Sequence, residues 1–310
     1  MYPDGERPVY GIFVREQVEA LRRCAPGMEI DVKFINPLQE RAAYVRSVFS
    51  IPRMARGYDL VHVHYGLSGL FLLNPFRGSM PPVVVTLHGG DILPEQKKWM
   101  QVRLTRHIIR RADAVVTLNQ AMTDIVRPLV PRVEEIPCGI DVSRFRSKGL
   151  RLRGRRLLVV FPGDRRREVK DYSLFERTLA LLAYRYGIDC EPVELTGMSR
   201  QEVASLFQRA GLMLMTSVSE GSPQSVKEAM ACSLPIVSTP VGDVSRLLSG
   251  VSDCAVAPDR NTETLASLVA DVLNGRFHSS ISGPERIRQL GLDADTVARR
   301  VYGLYNSLLR

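Results

Sequence analysis

The sequence predicts an α/β protein of two parallel-sheet domains, and three observations carry that prediction. The chain has 310 residues, 45% hydrophobic and 24% charged, a globular composition long enough for two cores of roughly 150 residues each. Short β-branched runs alternate with helical patterns along nearly all of it, the rhythm of strands joined by crossover helices. That rhythm breaks at residues 145–156, where six basic residues with Gly149 and Gly154 show almost no apolar periodicity and read as an interdomain linker.

In the first half, strands are expected at 29–35, 60–64, 83–87, 114–118 and 133–137, with helical patterns such as 13–23 and 102–111 between them. The stretch around Arg41, Arg46, Arg53 and Arg56 interleaves basic residues with Tyr44, Val45, Val48, Phe49 and Ile51. Such a basic amphipathic segment suits either an anionic membrane surface or a surface helix whose apolar face covers the first domain. In the second half, strands are expected at 157–161, 191–195, 212–215, 235–238 and 254–257, and helices near 173–186, 200–210, 223–232 and 262–273. Ligands of open α/β sheets bind beyond the carboxyl ends of the strands, so a cleft lined by the loops after these strands is expected.

No apolar run approaches the roughly 20 residues needed to span a bilayer, and no basic-then-apolar signal segment opens the chain, so a cytosolic location is expected. Five scattered cysteines, without paired spacing, read as reduced and mostly buried. The net charge of +9 implies attraction to anions: nucleic acid, anionic lipid or an anionic substrate. Nucleic acid is disfavoured because interleaved aromatics and a recognition helix are missing.

The most informative segment is 217–243, which places Glu220 and Glu228 eight positions apart across a loop that opens a helix. Gly221 loosens the turn, and Pro223 is expected in the first helical turn, where its missing N–H costs nothing. The backbone N–H groups of such a helix start attract anions. Two carboxylates flanking a phosphate site can accept hydrogen bonds from sugar hydroxyls on either side; an N-capping Glu and a surface Glu would give the same spacing. The loop 162–170 carries Arg165, Arg166, Arg167 and Lys170 after the first strand of the second half, and reads either as a cationic clamp or as a solvated basic loop. His88 ends a strand ahead of Gly89 and Gly90, so its ring can face a ligand that the backbone approaches closely; a structural histidine is the other reading. His62 and His64 share a face of one strand. No third ligand of suitable spacing accompanies them, so no metal is expected.

The run 217–243 resembles the signature of the retaining glycosyltransferases of family 4 (group 1), which have the GT-B architecture of two Rossmann-like domains. Residues 10–17, 59–66, 86–91 and 136–141 resemble further landmarks of that family in the correct order. The resemblance implies an acceptor-side domain at 1–147, completed by a returning last helix at 293–310, and a donor-binding domain at 148–292. It implies a nucleotide-diphosphate sugar, UDP- or GDP-linked, as donor; a glycan or lipid-linked acceptor; no metal or other cofactor; and work in cell-surface polysaccharide or glycolipid synthesis. By the same resemblance His88, Glu220 and Lys170 act at the reacting centre. Arg165, Arg167, Lys170, Glu220, Gly221, Ser222, Pro223, Gln224 and Glu228 bind the donor, with Glu220 on the sugar, Glu228 on the ribose, and Lys170 with Arg165 or Arg167 on the diphosphate.

Family members begin with a strand and a Gly-rich turn. Here residues 1–8 resemble the turn without its strand, so the first strand of the first domain is expected to be missing. A non-catalytic nucleotide-sugar-binding or partner subunit with an incomplete acceptor domain is therefore the competing reading.

Overall fold

The computed structural model describes residues 2–3, 11–36, 42–93, 99–147 and 156–310. Most of the terminal turn at 1–8, Tyr10, Arg41 and residues 148–155 of the basic linker lie outside the described residues. The chain divides into two units, one made of Met1–Gly139 with Ala294–Arg310 and the other of Ile140–Asp293. The division falls at Gly139/Ile140 rather than at 147/148, for a packing reason. Phe145 is fully buried in the second unit's core against Phe207, and Ile140 N–H donates to Leu292 O.

The first unit contains helices α1 (Ile12–Cys24) and α2 (Ala43–Ala55), then β1 (Val61–His64), β2 (Val83–Thr86), α3 (Trp99–Ile109), β3 (Ala114–Thr117), α4 (Gln120–Val126) and β4 (Val133–Glu135). The four strands form one parallel sheet in the order β1-β2-β3-β4. β2 and β3 are buried along their whole length, as the central strands of a sheet covered on both faces must be. A 3-10 segment, Gly66–Leu73, packs beside β1, and Gly66 and Gly69 leave room there for Thr105 and Ile108 of α3.

The strand expected at 29–35 is not formed. Residues 28–36 carry no ladder pairing with any described strand, the free edge of β1 included, and a strand without a neighbour's donors and acceptors is only extended chain. Side chains tether the segment instead: Arg22 donates to Ile30 O, and the Tyr58 hydroxyl to Asp31. Among the described residues no strand precedes β1.

The second unit runs β5 (Leu157–Phe161), α5 (Tyr172–Tyr186), β6 (Cys190–Glu194), α6 (Arg200–Arg209), β7 (Leu212–Met215), α7 (Gln224–Ala231), β8 (Ile236–Ser238), α8 (Val244–Leu248), β9 (Cys254–Val256), α9 (Thr262–Leu273) and α10 (Gly283–Gln289). Its parallel sheet has the order β6-β5-β7-β8-β9. Pro192 lies in β6, at the sheet edge, where a missing N–H is tolerated. One face of the sheet packs Val159, Phe161, Leu212 and Leu214 against Phe175 and Leu182 of α5 and Leu265 and Val269 of α9. The other packs Val160, Met213 and Ile236 against Phe207 of α6 and Val226 and Met230 of α7. Side-chain caps fix the starts of α6 (Ser199 with Glu202, a capping box), α9 (Asn261) and α10 (Ser282).

The last helix, α11 (Ala294–Leu308), belongs to the first unit. Val297, Ala298, Val301 and Leu304 bury against Ala20 and Leu21 of α1 and Val84 and Val116 of the sheet. Gly139 admits it closely, since a side chain there would meet the backbone of Ala294 at 2.8 Å. All five cysteines are unpaired, four of them buried. Among the described residues no helix is long and apolar enough to cross a membrane.

Candidate functional site

In the second unit the chain leaves β5 for β6 on one side and returns to β7 on the other, so the strand order reverses between β5 and β7. In open α/β sheets such a reversal leaves a crevice at the carboxyl ends of the two strands. The loops filling that position here are 162–171, after β5, and 216–223, after β7.

The two loops are stitched together. Thr216, fully buried, donates its one hydroxyl to a region shared by Lys170 O (3.0 Å) and Asp171 O (2.9 Å), and Val218 N–H donates to Val169 O. Asp171 adopts φ +48° and caps α5 through Leu174 N–H, while its other carboxylate oxygen pairs with Arg260. Lys170 ends a 3-10 turn, Glu168–Lys170, and its stem runs along Gly163, where a Cβ would lie 3.0 Å from the Lys170 methylenes. The lysine is thus largely buried and aimed: Nζ reaches Glu220 Oε1 at 2.6 Å, and the Ser217 hydroxyl donates to the same oxygen at 2.8 Å.

Of the two arginine candidates, Arg165 is held at the surface by Glu194, through Nε and its backbone N–H, with its guanidinium 4.5 Å over the Tyr172 ring. Arg166 pairs with Asp164, holding that carboxyl down at about 2. Arg167 is exposed, and its side chain makes no ion pair with a described residue.

Pro223 is the residue before α7, with φ −68° and ψ 119°, rather than part of its first turn, so the helix starts at Gln224 without a side-chain cap. Gly242, at φ +54°, lies directly against this turn; a Cβ there would meet Gly221 O at 2.3 Å and Glu220 O at 2.9 Å. The Ser222 hydroxyl donates to Asp243 Oδ2 at 2.8 Å. Asp243 is buried, which pushes its pKa up against the attraction of Lys227 and the Ser222 bond, and its Oδ1 has no hydrogen-bond partner among the described residues. Glu228, one turn into α7, is almost fully buried and accepts from Arg200 Nη2 at 2.6 Å. Arg200 is the first residue of α6, and its guanidinium lies 4.6 Å over the Phe145 ring.

The structure therefore brings Lys170 and Glu220 into contact and places Gly221, Ser222, Pro223, Gln224 and Glu228 on one loop and helix start. Arg200, Ser217 and Asp243 complete the arrangement, and the sequence does not single them out: Arg200 contacts Glu228 across 28 positions, and neither composition nor spacing signals that pair.

In the first unit, His88 follows β2. Its ring stacks on His64 (centroids 5.4 Å apart, His64 Nδ1 to His88 Nε2 3.2 Å) and faces Phe13 at 4.7 Å. His62 reaches the Tyr305 hydroxyl (2.5 Å) and the Thr86 hydroxyl (2.7 Å). Enclosure of these rings disfavours the imidazolium, bringing His62 and His88 each to about 3 and His64 well below its ordinary value. Beneath them the buried Asp91 accepts from His88 N–H and Gly66 N–H, both at 2.9 Å. Burial raises its carboxyl to about 6, and backbone N–H donors restrain the rise. Among the described residues no cluster of three metal-ligating side chains is suitably placed.

Comparison with known proteins agrees along the chain. Residues 13–144 match Glycosyltransferase Family 4, and residues 149–275 match Glycosyl transferases group 1. A Bacillus subtilis glycosyltransferase, TuaC, whose name places it in teichuronic acid biosynthesis, is 24% identical over 303 residues, covering 90% of this chain and 73% of its own. A D-inositol 3-phosphate glycosyltransferase of Paenarthrobacter aurescens is 26% identical over 302 residues, covering 80% and 71%. Among solved structures, sucrose-phosphate synthase from Thermosynechococcus elongatus superposes with a TM-score of 0.76 at 18% identity, covering 96% of this chain and 92% of that one. HepE from Anabaena, solved in complex with UDP-glucose, gives 0.71 at 18%, covering 93% and 88%. With its two parallel α/β sheets of four and five strands, the chain has the GT-B fold.

Proposed function

Because the chain belongs to the group 1 glycosyltransferases of family 4, with relatives in polysaccharide biosynthesis, we propose that it transfers a sugar, with retention, from a nucleotide-diphosphate sugar to an acceptor hydroxyl. The observation that carries this reading is the contact of Lys170 with Glu220 at the strand-order reversal. A buried ammonium and a carboxylate meet there beside an uncapped helix start, which is what a diphosphate joined to a polyhydroxyl ring requires.

On this reading the donor diphosphate lies at the start of α7, with Lys170 and either Arg165 or Arg167 as its cations. Negative charge grows on the leaving diphosphate as the glycosidic bond breaks. Fixed cations and helix N–H groups stabilise that charge without a divalent ion, and such stabilisation is commonly the largest catalytic contribution. Glu220 accepts hydrogen bonds from the transferred sugar, and Glu228 from the ribose. Gly221, Ser222, Pro223 and Gln224 form the backbone cradle. By the family resemblance His88 acts at the reacting centre, and its ring is a neutral imidazole, a donor or acceptor of hydrogen bonds rather than a charge. The acceptor hydroxyl attacks the face that the diphosphate leaves, and the departing phosphate oxygen takes its proton. HepE, solved with UDP-glucose and with UDP, supports a nucleotide-diphosphate sugar, UDP- or GDP-linked, as the donor.

We place the protein in the cytoplasm, at an anionic membrane surface. Helix α2 has no acidic residue, and it exposes Val45, Phe49 and Met54 beside Arg46 and Arg53, which supports such a contact.

Calorimetric titration with UDP and with GDP, without added metal, tests the reading. Saturable binding of one nucleotide is expected, weakened at least tenfold in Lys170→Ala and in Glu228→Ala. A folded protein that binds neither nucleotide refutes it.

A further inference from the structure

We propose that Arg200 is a positioning residue that gives Glu228 its preference for an intact ribose; this rests on the donor reading above. Glu228 is 3% exposed, and a buried carboxylate without fixed donors would settle into whichever hydrogen bonds its rotamers allow. Here one oxygen is committed: Oε1 accepts from Arg200 Nη2 at 2.6 Å, with both side chains mostly buried. Oε2 accepts no hydrogen bond from a described residue, and so remains as the acceptor for a ligand hydroxyl.

The guanidinium is itself restrained from two sides. Its Cζ lies 4.6 Å from the ring centroid of the fully buried Phe145. Its backbone is the first residue of a helix fixed by the Ser199 and Glu202 capping box. Phe145 in turn packs against Phe207 of the same helix, so ring, helix and guanidinium form one rigid support beneath the carboxylate. A carboxylate pinned at one oxygen presents the other in one direction, and discrimination between a hydroxyl and its absence requires that geometry. Lysine could supply the charge but neither the planar stacking nor the fork.

The test is calorimetric titration of wild type, Arg200→Gln and Arg200→Lys with UDP, GDP and their 2′-deoxy counterparts. Wild type is expected to prefer the ribonucleotide by about tenfold. In Arg200→Gln that preference is expected to fall to within about twofold while affinity for the 2′-deoxy form, held by its phosphates, stays near wild type; that retained affinity also reports a folded site. In Arg200→Lys an intermediate preference is expected. An unchanged preference in both variants, or an equal loss of both nucleotides in both, overturns the proposal and leaves the donor site standing. Wild type binding neither nucleotide overturns the donor reading itself, and wild type binding both forms equally overturns Glu228 as the ribose contact.

Discussion

Replacing Gly242 with alanine separates backbone strain from site geometry. At φ +54° an alanine costs about 1 kcal/mol for the left-handed conformation. Its Cβ would also stand 2.3 Å from Gly221 O and 2.9 Å from Glu220 O. Both obstructing atoms are backbone, so relief requires the 220–221 turn to retreat by roughly 1 Å, at a further cost of about 1 to 3 kcal/mol. The total of about 2 to 4 kcal/mol lowers the unfolding midpoint of the second unit by about 5 to 15 °C. The retreat moves Glu220 away from Lys170, and a displacement of about 1 Å at a site can cost a hundredfold in rate. Gly187 is the control: it has φ +67° and open space around its Cβ position, so Gly187→Ala carries the strain without the clash. Calorimetric unfolding of both variants, with nucleotide titration, should show a loss of about 1 kcal/mol and unaltered binding for Gly187→Ala, and a larger loss with weakened binding for Gly242→Ala. Equal midpoints and equal affinities in the two would refute the steric argument.

Acid should weaken the first unit through His62. Its folded pKa of about 3 lies below the unfolded value of about 6.5, so the neutral ring's stability is full above pH 6.5 and is lost progressively as pH falls toward 3, about 2 kcal/mol by pH 5. Asp91 acts in the opposite sense: raised to about 6 in the fold, it favours the folded state on protonation and offsets about 1 kcal/mol of that loss at pH 5. Urea unfolding at pH 7 and pH 5 should therefore show a smaller acid loss in His62→Gln than in wild type; equal losses would count against the burial argument. For the membrane contact, sedimentation with vesicles containing anionic lipid should capture the protein more strongly than with zwitterionic vesicles, and Phe49→Ser with Arg53→Ser should abolish the difference. Capture independent of lipid charge would exclude α2 as the electrostatic contact.

How much of this was readable in the sequence depends on how local each cause is. Strands 157–161 and 212–215 are read to the residue, because a strand covered by helices on both faces is a continuous apolar run bounded by polar turns. The loops bearing Lys170 and Glu220 follow, since strand ends and helix starts are local signals. Residues 29–35 mislead because alternation records only a preference, while a strand also needs an adjacent edge. Pro223 lies one position outside the expected helix, as its N-cap with extended ψ, because composition marks a helix start only to within a residue or two. The pairing of Asp171 with Arg260 and of Arg200 with Glu228 leaves no trace, since each partner is brought in only by folding, across 89 and 28 positions.

The hydroxyl of Thr216 has a consequence for how this scaffold could change its choice of sugar. By clasping the carbonyls of Lys170 and Asp171 it makes the two loops one casting, so the separation between the ammonium and the Glu220 carboxylate is a constant of the sheet. On the donor reading that fixed contact seats the junction of diphosphate and pyranose, which every nucleotide-linked hexose shares. Substitutions that swap one hexose for another must then fall beyond the contact, among side chains facing the far hydroxyls, and a variant library aimed at new donors should leave 162–171 and 216–220 untouched.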